Sequence, residues 1–273
     1  MSTRQRAARA LQRRAGPRVV AGLGSLVLSV RGGAWCAVRH DDGLWIHRYR
    51  DGVLVDTRLG GPTPARQDRY ARDVFLWDYV PRVGDTVVDV GAGVGGEVRL
   101  FSRLVGPLGR VISVEAHPRT ARALARTVAE NGLRNVAVVA CAVVERSGPV
   151  HLEDGADHIR NGVSATGVAV PGRTLDDLVA EFRLERIDLL KMNIEGAERA
   201  VLSAAPETLA RVRHLTVSCH DFLAGPSGRP GQRTFDAVAE LLRGAGFAVR
   251  TRPDDARPWI PYYVYAAARG GTA

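Results

Sequence analysis

Three short stretches of the chain gather residue types that bind a nucleoside and move a proton. The first is Val87-Val-Asp-Val-Gly-Ala-Gly-Val-Gly-Gly96, followed by Val111-Ile-Ser-Val-Glu115. An apolar run that breaks into glycines, continues as a helical pattern and is followed by a second apolar run ending in one acid describes a β-α-β nucleotide site. Glycines let the backbone turn sharply beside a ligand, and Glu115 at the next strand tip can accept hydrogen bonds from a ribose. The second stretch is Ile187-Asp-Leu-Leu-Lys-Met-Asn-Ile-Glu-Gly-Ala-Glu198. Its strand delivers Lys191 and Asn193 to one side by period-two alternation, and Glu195 begins the following helix. The third, Val217-Ser-Cys-His-Asp-Phe222, puts His220 at a strand's carboxyl end. An unperturbed imidazole, with a pKa of about 6.5, suits a general base at neutral pH.

The glycine pattern alone is ambiguous. Gly91, Gly93 and Gly96 satisfy the G-x-G-x-x-G of dinucleotide-binding dehydrogenases, while Gly91, Gly93 and Gly95 fit the G-x-G-x-G of S-adenosylmethionine (SAM) enzymes. Two neighbours favour SAM. Asp89, inside the first strand, is a carboxylate that needs hydrogen-bond partners and can fix the loop. Glu97 opens the next helix, which suits the helix dipole but disfavours a pyrophosphate there and does not disfavour a cationic sulfonium. The cofactor-binding set read from these strands is Asp89, Gly91, Ala92, Gly93, Gly95, Glu115, Ala116, His117, Cys141, Ala142 and Asn193. His117 and Pro118 start the next helix and flank the adenine, and Cys141-Ala142, at the third strand tip, meets its edge through backbone groups.

These tips need an open sheet to position them. Strands are expected near 86–90, 110–115, 136–141, 187–193 and 213–219, with helices near 95–105, 118–131, 174–181, 195–204 and 232–244. The alternation implies a mostly parallel sheet covered on both faces. Thr174 with Asp177 makes a capping-box start, so Asp176 and Asp177 read as a helix N-terminus rather than a catalytic pair. Runs 246–251 and 260–268 leave no room for a crossover helix and must pair antiparallel, a hairpin that ordinary dehydrogenase domains lack. Upstream, 35–40, 44–49 and 53–58 read as a small β-meander turned at Asp42-Gly43 and Asp51-Gly52, and 66–80 as an amphipathic helix ended by Pro81. The expected division is a basic arm 1–33, the meander 34–65 and the catalytic domain 66–273.

The formal charge of +9 belongs to the arm: residues 1–40 hold eight arginines and no acid, so the rest of the 273-residue chain is near neutral. The arm reads as an exposed helix. Its apolar stretch Val19 to Val30 and the pair Arg13-Arg14 also suggest a secretory or twin-arginine signal, against which stand Arg31 and the lack of a clear cleavage site. Adsorption to an anionic membrane or polymer is a further reading. Cys36, Cys141 and Cys219 are odd in number and set in apolar runs, as buried thiols of a reducing, cytoplasmic compartment. No C-x-x-C, H-E-x-x-H, P-loop or G-x-S-x-G pattern occurs, which argues against zinc ribbons, zincins, Walker ATPases and α/β-hydrolases. The polar loop His151, Glu153, Asp154, Asp157 and His158 lacks regular metal-ligand spacing and reads as solvated. Of 38 basic side chains only Lys191 is a lysine, which suggests a position that needs a slim ammonium.

Val87 to Gly95, Val114-Glu-Ala-His-Pro118, Arg173-Thr-Leu-Asp-Asp177 and Lys191-Met-Asn-Ile-Glu-Gly-Ala-Glu198 together resemble the FkbM family of SAM-dependent methyltransferases, over about residues 66 to 268. The resemblance implies a Rossmann-like class I fold, SAM as donor with S-adenosylhomocysteine as product, and methylation of a hydroxyl on a small molecule such as a secondary metabolite or sugar. It departs at Asn193, where the family usually carries Asp, and this weakens any metal held by that carboxylate. Within this reading His220 is the base, Asp221 or Glu195 its orienter or a substrate contact, and Lys191 stabilises oxyanion charge or ties Glu195 in place. N- or carboxylate methylation, a NAD-dependent oxidoreductase and an RNA methyltransferase using the arginine arm are the alternatives. The chain has no recognised RNA module and no membrane-spanning run, so neither nucleic acid nor an integral membrane segment is expected. A homodimer remains open.

Overall fold

The computed structural model describes residues 3–152, 163–164, 167–223 and 233–270, and side chains within 16–152, 167–223 and 233–270. The arm is helical, α1 (Thr3–Gly32), broken at Gly16 ahead of Pro17. The meander follows as β1 (Cys36–Asp41), β2 (Leu44–Tyr49) and β3 (Gly52–Asp56), paired antiparallel in that order. Helix α2 (Pro64–Val74) is capped by Thr63, whose side chain accepts from Arg66 N–H. It ends well short of residue 80, because the chain turns after Val74 to bury Phe75 and Leu76.

The main sheet then begins with β4 (Thr86–Val90), α3 (Val98–Val105), β5 (Arg110–Glu115), α4 (Pro118–Glu130) and β6 (Val136–Ala140). A second, four-stranded sheet was not expected from the sequence: β7 (Ala142–Val143), β8 (Gly148–Leu152), β9 (Val163–Ser164) and β10 (Val168–Arg173), in the order β7-β10-β8-β9. The chain continues through α5 (Leu175–Glu181), β11 (Ile187–Met192), α6 (Glu198–Ser203), α7 (Pro206–Leu209), β12 (Val212–Ser218), α8 (Phe235–Gly244), β13 (Phe247–Arg250) and β14 (Tyr263–Ala268). The Thr174–Asp177 capping box forms as expected at the start of α5.

The seven-stranded order is β13-β14-β12-β11-β4-β5-β6. Strands β12, β11, β4, β5 and β6 run parallel, and β14 inserts antiparallel between β12 and β13. This is the class I methyltransferase sheet that the closing hairpin implied. Every residue of β4 and β11 is buried, as central parallel strands with both faces covered require. Alternate residues feed two cores. Val88, Ile112 and Leu190 pack with α5, α6 and α8, whereas Val87, Val111 and Leu189 pack with α2, α3 and α4.

The meander sits on α4. Leu44, Ile46, Val53 and Val55 bury against Ala123, and Asn131 both accepts from Val53 N–H (2.9 Å) and donates to Val53 O (2.7 Å), pairing with β3 as a strand edge would. Around this seam Arg39, Arg48 and Arg126 converge on Glu130. Such surface pairs contribute about 0.2–1 kcal/mol each, against about 1.5–3 kcal/mol for each buried aliphatic side chain, so apolar packing holds the meander and the arginines orient it. Asn131→Ala should therefore cost about 1–3 kcal/mol in urea unfolding and speed amide exchange chiefly within β1 to β3. A change below about 0.5 kcal/mol would show that the edge-like pairing is dispensable.

Candidate active site

The tips of β4, β5, β11 and β12 meet at one end of the sheet. Lys191 stands directly opposite Asp89 in the β11–β4 register, and its ammonium lies 2.8 Å from Asp89 Oδ1 and donates to Gly91 O at 2.8 Å. It also lies over the Phe75 ring, 5.0 Å from its centroid. Burial works against a charged Lys191, but Asp89, Glu97 and Glu115 more than offset it and raise its pKa. The chain's one lysine is thus a strut between two strands and the glycine loop. The expected tie from Lys191 to Glu195 is not made, because the ammonium is only 1% exposed and engaged by Asp89 and Gly91.

The loop itself is close-packed. A Cβ on Gly91, where φ is +74°, would stand 2.0 Å from Asn193 O, so only glycine lets β4 and β11 approach there. Glu115 is at the tip of β5, where Oε2 accepts from Gly93 N–H and Oε1 from His117 N–H, both at 2.9 Å. Burial pushes its carboxyl above the usual range although these amides oppose the shift. Glu97, buried and accepting from Gln67 Nε2 at 2.6 Å, is likewise pushed up by burial. Three carboxylates, those of buried Asp89 and Glu97 and half-buried Glu115, therefore surround one ammonium, a balance that suits a cationic ligand and disfavours a pyrophosphate. Asp89 Oδ2 and Asn193 Oδ1 are buried without a hydrogen-bond partner, and nothing stands within 4 Å of where a Cβ of Gly93 would project. These features fit SAM.

The remaining cofactor candidates fall around this loop with different surroundings. Ala92 is buried with its N–H donating to Val114 O, and Gly95 abuts Leu124 and Val98. His117 caps α4, and Ala116 packs beside Ala142 under the second sheet. Cys141 faces the core, where burial lifts its thiol to about 11. All three cysteines are free and buried.

At the tips of β11 and β12 three ionisable side chains form a linked chain. His220 Nδ1 lies 3.0 Å from Glu198 Oε1 and Nε2 lies 3.4 Å from Glu195 Oε1. Glu198 is anchored by Gly196 N–H (3.1 Å) and by Thr234 Oγ1 (3.2 Å). Burial alone would lower the His220 pKa, but the two carboxylates outweigh it and push it up to about 9. Against the ordinary imidazole that the sequence suggests, the two flanking acids favour the protonated ring. Glu195 does not begin α6. It sits three residues before that helix with φ +60°, a left-handed conformation uncommon outside glycine and found where surrounding structure imposes it.

Asp221 does not orient His220, because its Oδ2 accepts from Thr234 and Phe235 N–H (3.0 and 3.1 Å) and staples the 3-10 turn 221–223 to the start of α8. Glu198 and Thr234 are the participants that sequence reasoning missed. The i, i+3 spacing of Glu195 and Glu198 was visible, whereas Thr234 carried no local signal. Of the polar loop, His151 lies in β8, and Glu153, Asp154, Asp157 and His158 lie outside the described residues. Among the described residues no three His, Cys, Asp or Glu side chains are grouped to hold a metal ion.

The sheet order and this strand-tip constellation define a class I methyltransferase. The sequence profile of the methyltransferase FkbM domain matches residues 89–249, and the chain belongs to the FkbM family of SAM-dependent methyltransferases. It is 39% identical over 103 residues to the AMB antimetabolite synthetase AmbE of Pseudomonas aeruginosa, a match over 37% of this chain and 5% of that protein. It is 26% identical over 177 residues to the 2-O-methyltransferase NoeI of Sinorhizobium fredii, over 57% of this chain and 70% of NoeI. A solved structure of methyltransferase FkbM from Methylobacillus flagellatus superposes with a TM-score of 0.47 at 17% identity, covering 73% of this chain and 50% of that one.

Two stability consequences follow from these charges. Lys191→Met strands Asp89 and should cost about 3–5 kcal/mol in urea unfolding, part of which Lys191→Met with Asp89→Asn should restore. A loss below about 1 kcal/mol would contradict the strut. Because the folded pKa of His220 lies above its unfolded value of about 6.5, its ionic contribution is full below that pH and is lost as pH rises through about 9. The stability difference between wild type and His220→Gln should shrink across that window, and a difference that grows would reverse the assignment.

Proposed function

We propose that this chain transfers a methyl group from SAM to a hydroxyl oxygen of a small molecule, such as a secondary metabolite or a sugar, with Glu195 taking the proton. The observation that carries the reading is the Glu195–His220–Glu198 chain at the tips of β11 and β12, beside the glycine loop. SAM, when bound, supplies a methyl group made electrophilic by the sulfonium. Glu115 would hold the ribose hydroxyls, Gly91, Ala92, Gly93 and Gly95 would line the donor, and Ala116, His117, Cys141 and Ala142 would border the adenine. Asp89 and Asn193 bring buried acceptor oxygens to the same loop.

Glu195 is the outward end of the proton chain: its side chain is 17% exposed, against 5% for His220 and 0% for Glu198. The acceptor hydroxyl therefore meets Glu195 first. As the oxygen–carbon bond forms and the carbon–sulfur bond breaks, the hydroxyl becomes far more acidic and its proton passes to the Glu195 carboxylate. The His220 imidazolium keeps that carboxylate oriented, and Glu198 keeps the imidazolium charged. Alignment of oxygen, methyl and sulfur supplies most of the acceleration, so a carboxylate is a sufficient base. An acceptor that is itself a carboxylate would be repelled by Glu195 and Glu198, which favours a hydroxyl. The printed name of NoeI as a 2-O-methyltransferase agrees with transfer to oxygen.

The test is a pH profile of kcat/KM with labelled SAM and a panel of hydroxylated, amino and carboxylate acceptors. The reading expects turnover on hydroxyls, flat between about pH 6.5 and 8 and falling above about 9 as His220 loses its proton. Glu195→Gln should lower kcat by roughly 10²–10⁴ without weakening S-adenosylhomocysteine binding. Activity that instead climbs to a plateau above about 9 would make neutral His220 the base. Unchanged kcat in Glu195→Gln would remove Glu195 from the chemistry, and turnover on amines alone would replace the acceptor class.

A further inference from the structure

We propose that the second half of α1 is a docking face for an anionic lipid surface. After the break at Gly16 and Pro17 the helix is clamped to the meander along one side. Val20 and Ala21 bury against Trp45, Ser25 Oγ accepts from Val38 N–H (2.8 Å), and Ser29 Oγ accepts from Cys36 N–H (2.8 Å). The opposite side carries Val19, Leu23, Leu26, Val27 and Val30, which are 48% to 74% exposed. Their spacing places them in one stripe about 100° wide, as on a helix that buries an apolar face. Contiguous exposed aliphatics of this extent mark an interaction surface, since isolated ones need no explanation but a stripe does.

The charge around the stripe selects the occupant. Arg18 and Arg31 are exposed at its two ends, and Trp35, half exposed, lies just beyond the second. The sequence holds no acid before Asp41. A second copy of this face would bring arginine against arginine with no carboxylate between them. An anionic headgroup layer instead takes the arginines at the phosphate level, the aliphatic stripe in the upper acyl region and the tryptophan at the boundary, the arrangement of an in-plane amphipathic helix. No helix among the described residues is long and apolar enough to cross a membrane, so the contact is one of lying on the surface. The clamp to β1 and β2 pre-forms the helix, which spares much of the ordering cost of binding.

The test is sedimentation of the full chain with vesicles of phosphatidylcholine alone and of phosphatidylcholine with phosphatidylglycerol at about three to one. Binding to the mixed vesicles that weakens with salt is expected, with partition at least about tenfold lower for Leu23→Asp with Leu26→Asp. Arg18→Glu with Arg31→Glu should lower it by a similar factor. Neither pair touches the strand tips, so S-adenosylhomocysteine binding should be unchanged and reports that each variant is folded. Absence of binding to mixed vesicles, or binding that both double variants retain, would overturn the proposal. So would a concentration-dependent dimer in light scattering that Leu23→Asp with Leu26→Asp abolishes, since the stripe would then be a seam between chains.

Discussion

The buried pair of Lys191 and Asp89 is the constraint on which the donor site rests. Two charges at the centre of a parallel sheet are expensive unless they are paired, and this pair meets through Asp89 Oδ1 in cross-strand register with Gly91 O as a third partner. The consequence is positional. The strand that begins the glycine loop and the strand that ends at Asn193 are locked together, and the backbone contact at Gly91 tolerates no side chain. Glu115 then fastens the far side of the loop through Gly93 N–H. The loop is braced by the protein's own contacts, which is what preorganised binding requires.

A second set of charges, at the neighbouring tips, obeys different rules. Around Lys191 carboxylates outnumber the cation, whereas His220 is one cation shared between two acids along a line that runs from the buried Glu198 to the more open Glu195. In the first set Lys191 and Asp89 brace the strands as a buried ion pair. In the second, the outermost carboxylate belongs to a left-handed residue, Glu195, placed by the chain just ahead of α6. Strain of that kind persists where packing over-determines it, and here Gly196 N–H and Thr234 fix the Glu198 end of the chain.

Much of this was legible in the sequence. The glycine spacing, the acid at the tip of β5 and the closing antiparallel pair each have a local pattern tied to a backbone requirement, so class and donor could be read. Asp89 could be seen to need a partner, and the chain's sole lysine could be seen to need a special place, but not that each answered the other: they lie 102 residues apart and meet only through sheet register. The upward shift of the His220 pKa was not legible for the same reason, since it depends on burial and on where the Glu195 and Glu198 carboxylates fold. Asp221 was one of two candidates to orient His220, and nothing in the sequence signals that its side chain turns to α8. The second sheet escaped notice because β7 and β9 are two residues long and β10 carries Pro171 and Gly172.

Calorimetric titration of the full chain with S-adenosylhomocysteine and, separately, with NAD tests the central claim most directly, that the loop braced by Lys191 and Asp89 is a SAM site. The account predicts one-to-one binding of S-adenosylhomocysteine and no heat from NAD. Binding of NAD with no response to S-adenosylhomocysteine would contradict it.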